Sequence, residues 1–181
     1  MENKNGSSLF ARQCLAEALI GLMGEKDYQE ISLTEICRTA GFSRMAYYRN
    51  FKSKDDILVT YMKMLADKFR EDVLKKLPDA SSRSYELILY AFQYFRNYRR
   101  FAECLLQANL SSILQYGLNY YMDTFVAGED AGKKKRYTLY YYSGGLYNLF
   151  SVWVMGGMEE SAEEMAQVVY ERINPGTAPG E

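Results

Sequence analysis

Apolar residues recur at helical spacing along most of this chain, and few runs alternate apolar with polar positions. Leu15, Ala18, Leu19, Leu22 and Met23 share one face of a helix predicted over Leu9–Met23, which Gly24 can close. Ser32 begins a second, short helix. Ser32 and Glu35 have the spacing of a capping box, and Gly41 supplies a left-handed stop. Ser43 caps a third helix after a Gly-Phe turn. Ser53, with Asp56 three residues on, caps a fourth that runs to Leu77 before Pro78. At 1.5 Å per residue that fourth helix would span roughly 36 Å, a length suited to joining two modules.

Beyond Pro78-Asp79-Ala80-Ser81, residues 82 to 126 read as two or three aromatic-rich helices. The hydrophilic segment AGEDAGKKKR follows, with Lys133 to Arg136 expected in a solvated loop. Next comes a charge-free helix around YTLYYYSGGLYNLFSVWVMGG, ended by Gly156-Gly157. Gly144 and Gly145 each cost about 1 kcal/mol of helix propensity relative to Ala, and suit a place where another helix comes close. Ser161 and Glu164 cap a last helix through Ile173, and residues 175–181 are expected to fray.

The pattern predicts an all-α chain of 181 residues, divided into a helix-turn-helix unit (1–54), a connecting helix (55–77), a helical regulatory unit (78–174) and a tail (175–181). Two long stretches, 104–122 and 137–158, lack charged residues, but their amides, hydroxyls and tyrosines argue for helices buried among other helices instead of membrane spans. No apolar leader follows the polar first residues, which points to the cytoplasm.

Composition narrows the chemistry. Histidine is absent, and Cys14, Cys37 and Cys104 are isolated, so neither zinc nor a disulfide framework is expected. No nucleophile–base pair, metal cluster or phosphate loop is present. No cofactor and no enzymatic activity are therefore expected.

Charge is uneven along the chain. Residues 1–54 hold eight Lys/Arg against six Asp/Glu, whereas the remainder holds fourteen against seventeen. From Ile36 to Lys54 there are five bases and no acid, a local patch for a polyanion on a nearly neutral protein. A tight turn between two short helices, with the bases on the second, is the plan that sets its second helix in the major groove. Tyr47 and Phe51, four apart, are expected inward against Ile36 and Ala40, which leaves Arg44, Met45 and Tyr48 outward. Arg44 can fork onto a guanine edge, Met45 can touch a thymine methyl, and Tyr48 can donate to a base or phosphate. Ser43, Arg49 and Lys54 are the expected phosphate contacts.

The stretch ISLTEICRTAGFSRMAYYRNFKSKDDIL, residues 31 to 58, closely resembles the DNA-binding module of the tetracycline-repressor (TetR/AcrR) family of bacterial transcription regulators. Thr34 and Ile36, Ala40-Gly41-Phe42-Ser43, Tyr48, Phe51, Ser53-Lys54 and Ile57-Leu58 carry the likeness, and Arg12, Leu15, Ala18 and Leu22 fit the family's first helix. Thr34 joins the expected DNA-binding residues on this ground. Met45, Ala46 and Tyr47 depart from the family's usual small residue, threonine and leucine.

The resemblance implies a homodimer on a pseudo-palindromic double-stranded operator. Its C-terminal helices would form both a ligand pocket and a four-helix dimer interface. It implies a repressor released by a small apolar or aromatic ligand; the alternative is a helical interaction module or an activator that answers to a protein partner. The residues alone leave a filled core as open as a ligand cavity. Tyr94, Tyr98 and Tyr116 are candidate ligand contacts, and Leu139, Tyr142, Leu146, Leu149 and Trp153 candidates for the dimer seam.

Overall fold

The computed structural model describes residues 2–128 and 131–176, and positions 177–181 of the expected tail lie outside them. Among the described residues every regular element is helical. The elements are α1 (Glu2–Met23), α2 (Leu33–Ala40), α3 (Arg44–Asn50), α4 (Lys54–Lys76), α5 (Tyr85–Arg96), α6 (Arg99–Gln107), α7 (Ser112–Tyr121), α8 (Lys133–Met155) and α9 (Ala162–Ile173), with a 3₁₀ turn at Tyr28–Glu30 and a π turn at Met122–Val126.

Serine side chains set most of the helix starts. Ser32, Ser43, Ser53, Ser84 and Ser161 each accept from a backbone N–H three residues on, and Ser32 and Ser161 complete capping boxes with Glu35 and Glu164. Helix α1 starts at Glu2, seven residues before the apolar pattern. Once a helix is nucleated, added polar residues each gain a backbone bond without needing an apolar face. The run Lys133 to Arg136 is the first turn of α8, not a loop: Lys135 donates to the Ala127 carbonyl at 2.6 Å and Arg136 pairs with Asp123 at 3.2 Å.

Helix α4 is the axis of the molecule. Its buried residues Ile57, Leu58, Met62, Leu65, Ala66, Phe69 and Val73 form one stripe from end to end. The N-terminal part of that stripe belongs to a core shared with Leu15 and Leu19 of α1, Ile36 of α2, Tyr47 of α3 and Phe51. The same core continues without a break through Phe101 and Leu105 of α6, Ile113 and Leu114 of α7, Trp153 of α8 and Met165 of α9. A second cluster gathers around Phe69, whose ring lies 5.2–5.8 Å from those of Tyr90, Tyr94, Phe95 and Tyr121. Gly117 lets α7 close on α4, because a Cβ there would stand 2.4 Å from Met62 Cγ.

No helix of the described residues is long and apolar enough to cross a membrane. Polar side chains interrupt both charge-free stretches. Gln115, Asn119 and the fully buried Ser143 bond to one another across α7 and α8 at 2.6–3.1 Å.

Candidate nucleic-acid interface and dimer face

The turn between α2 and α3 is built locally. Gly41 adopts φ 72°, ψ 25°, a left-handed conformation that side chains resist, and the Phe42 N–H then returns to the Cys37 carbonyl at 2.9 Å. The chain re-enters a helix two residues later, where the Ser43 hydroxyl accepts from Ala46 N–H at 3.2 Å. Ala46, Tyr47 and Phe51 are buried as a unit, and Ile36 and Cys37 are buried beside them. This fixes the rotation of α3 about its axis.

The opposite face stands clear. Met45 is 69% and Tyr48 60% exposed, and Arg44 and Arg49 are exposed beside them. Thr34 and Ser43 are exposed as well. None of Arg38, Arg44, Arg49 and Lys52 forms an ion pair with a described residue. Four guanidinium and ammonium groups next to an apolar thioether and a phenol can take phosphates and base edges together. The Tyr48 ring meets that of Tyr47 edge-on at 5.2 Å, which anchors the exposed phenol on the buried one.

Polar ties hold α3 against its neighbours. Asn50 is their hub: its carbonyl oxygen accepts from Ser8 Oγ at 2.7 Å and Arg12 Nε at 3.2 Å, and its amide donates to Ala46 O at 2.8 Å. Asn50 has no distinctive spacing, so nothing in the sequence marked it. Tyr28 is a second anchor. Its hydroxyl donates to Asp55 in a short bond, and burial, followed by that bond, pushes the phenol far above its ordinary range.

Lys54 has a structural role besides the phosphate contact expected of it. Its ammonium donates to the carbonyls of Tyr28 and Ile31 at 2.8 Å each and sits 4.5 Å from the Tyr28 ring centre. Two of its three donors are thus spent in tying α4 to the α1–α2 connection, and one N–H is left for a phosphate.

The C-terminal candidates divide sharply. Trp153 is not on the surface: it is 2% exposed, packs edge-on to Phe92 at 5.5 Å and donates from Nε1 to the Glu160 carbonyl at 3.1 Å. Leu146 and Leu149 pack against the core, and Leu139 and Tyr142 are half-buried. The expected dimer stripe is therefore largely the inner face of α8. Its outer face carries Tyr137, Tyr141, Val152 and Met155 at 62–79% exposure, with Gly145 and Asn148 between them and Val168 of α9 at 47%. A Cβ on Gly144 or Gly145 would meet nothing within 4 Å among the described residues beyond its own stretch of helix.

The three tyrosines proposed for a ligand do not converge. Tyr94 is buried in the Phe69 cluster and donates to the Leu65 carbonyl at 3.2 Å. Tyr98 bridges the two clusters, and Tyr116 is exposed, stacked near Tyr120 with Lys63 above both rings. None of them lines the cavity of about 240 Å³ that lies beside Arg70, Val73, Tyr121 and Phe125.

Comparison with known proteins places these features. The family described as "Bacterial regulatory proteins, tetR family" matches residues 15–60, and "Transcriptional regulator C-terminal region" matches residues 82–175. The chain is 29% identical over 89 residues to the HTH-type transcriptional regulator AlkX of Mycobacterium tuberculosis, covering 49% of this chain and 42% of that protein. It is 28% identical over 79 residues to BetI of Rhizobium meliloti, covering 44% and 39%. The alignments thus span about two fifths of these curated relatives.

Over nearly the whole chain, the fold matches FadR from Bacillus subtilis, solved with stearoyl-CoA, at TM-score 0.60 and 18% identity, covering 92% of this chain and 99% of that one. The activator DhaS aligns at TM-score 0.55 and 16% identity, covering 90% and 93%. The N-terminal match encloses the helix-turn-helix and the C-terminal match spans more than half the chain, so this protein belongs to the TetR family of transcriptional regulators.

Proposed function

We propose that this protein is a homodimeric, cytoplasmic, sequence-specific regulator that represses from a pseudo-palindromic operator and leaves it when a small molecule binds the C-terminal half. The observation that carries the reading is α3. Its buried face is fixed by Tyr47 and Phe51, while Arg44, Met45 and Tyr48 project from the opposite face among bases that pair with no acid of the described residues.

Two further features support the reading. The outer face of α8 repeats exposed residues at Tyr137, Tyr141, Gly145, Asn148, Val152 and Met155, the spacing of a helix–helix seam. Its glycines leave open space that a partner helix can fill. Helix α4 is continuous for 23 residues, about 34 Å long. It is packed in the headpiece at one end and lines the cavity with Arg70 and Val73 at the other. Displacing one end of such a rod moves the other.

Binding to duplexes from the flanking promoter DNA tests the proposal. Affinity should fall steeply with salt, as phosphate contacts release counterions. Arg44→Ala should cost about 1–3 kcal/mol and relax preference at one base pair of each half-site. An Arg44→Ala protein with unchanged affinity and unchanged preference would remove α3 from the reading surface.

A further inference from the structure

The cavity lies where the C-terminal end of α4 meets α5, the end of α7 and the π turn. Arg70, Val73, Ser82, Leu87, Tyr121 and Phe125 contribute to its wall. At about 240 Å³ it is smaller than the roughly 300–1,000 Å³ of sites for drug-sized ligands. One ring or a short chain fits within it.

Arg70 is the one charged side chain among the described residues that line it. The half-buried Arg70 guanidinium lies 5.9 Å from the Phe125 ring centre and pairs with no carboxylate among the described residues. Three acids of the neighbouring described residues are engaged elsewhere. Asp67 accepts from Tyr120 at 2.8 Å, Asp72 from Tyr90 at 3.3 Å, and Asp123 from Arg136 and Tyr140 at 3.2 and 2.7 Å. Tyr121 packs its ring on Phe69 and Phe125, and its hydroxyl has no hydrogen-bond partner among the described residues. Burial lifts that phenol above its usual range, with Arg70 opposing, so it remains a donor at neutral pH.

A guanidinium fork and a phenol donor, neither with an acceptor among the described residues, share a small half-open cavity that Val73, Leu87 and Phe125 also line. A planar oxyanion on a small apolar body satisfies all of these at once.

We propose that this cavity binds a small organic carboxylate, with Arg70 and Tyr121 holding the carboxylate and Val73, Leu87 and Phe125 against its ring or chain. The proposal rests on the reading of the protein as a ligand-released regulator, and replaces a purely apolar ligand by an anionic one. A phosphomonoester presents related oxygens, so it is included as a separate arm.

The test is calorimetric titration of the purified full chain with benzoate, hexanoate, their uncharged amides, and phenyl phosphate. The carboxylates should bind, and the amides should bind at least about tenfold more weakly, because a charge-assisted pair is lost. Arg70→Met should weaken benzoate about tenfold or more, and Tyr121→Phe several-fold, which covers the case in which the first variant misfolds. Four results would overturn the site: no carboxylate binding, amides binding as well as acids, both variants binding benzoate like the wild type, or phenyl phosphate binding tighter than benzoate.

Gel shifts separate this proposal from the reading beneath it. Carboxylate binding that leaves the operator complex intact refutes release and upholds the site. Release by another compound, equal in Arg70→Met and wild type, upholds release and refutes the site.

Discussion

Glu35 gathers three donors at the start of α2. Its carboxylate accepts from the Ser32 N–H at 2.9 Å, from the Ser32 hydroxyl at 2.8 Å and from the Lys26 ammonium in a short ion pair. These bonds, the lysine's foremost, hold its pKa at about 2, below the ordinary 4.5. The folded value lies below the unfolded one. The stability this group contributes is therefore present above about pH 4.5 and drains away as pH falls toward 2. Glu35→Gln should flatten the pH dependence of the denaturation midpoint within that window, since the amide does not titrate. Parallel curves for the two proteins would show that the carboxylate does not hold this corner. Asn50 and two of the three donors of Lys54 position α3 and α4 through partners that no reading of spacing reaches.

At the scale of elements, the starts of α2, α3, α4 and α9 were legible because they are settled within four residues. A serine that accepts from its own N3 amide, and a glycine at φ 72°, need no distant partner. The basic run at the head of α8 misled because its stabilising partners, Ala127 and Asp123, lie before the loop. Gly117 carries an element-scale prediction. A methyl there would press on Met62 Cγ, inside a buried contact between α4 and α7. Overpacking costs about 1–3 kcal/mol, against about 1 kcal/mol of helix propensity gained. Gly117→Ala should therefore destabilise by up to about 2 kcal/mol in urea melts, whereas Gly145→Ala, with open space at its Cβ, should not destabilise the monomer. Equal melts for wild type and Gly117→Ala would mean that the α4–α7 contact relaxes freely.

At the scale of the molecule, the two faces of α8 make different predictions. Val152 and Met155 lie on the exposed face of the proposed seam, so Val152→Asp with Met155→Asp should leave a folded monomer with much weaker operator affinity. Sedimentation alongside circular dichroism reads both properties. Trp153 lies in the core, and Trp153→Ala should cost about 3–5 kcal/mol of folding stability. A double aspartate variant that stays dimeric would move the seam elsewhere.

The sequence by itself determined the all-helical character, the capped starts of α2, α3, α4 and α9, the left-handed turn at Gly41 and the outward set Arg44, Met45 and Tyr48. Each follows from atoms a few residues apart, or from a helix short enough that burying Tyr47 and Phe51 leaves one rotation. Only the tertiary structure decided which side of α8 is inside, where Lys54 points, and which residues surround the cavity. Helix α8 is apolar or aromatic on both sides from Tyr137 to Met155, so its periodicity fits either stripe. The choice belongs to Phe92, Phe150 and the Glu160 carbonyl, whose packing and hydrogen bond draw Trp153 inward and leave Val152 to the surface.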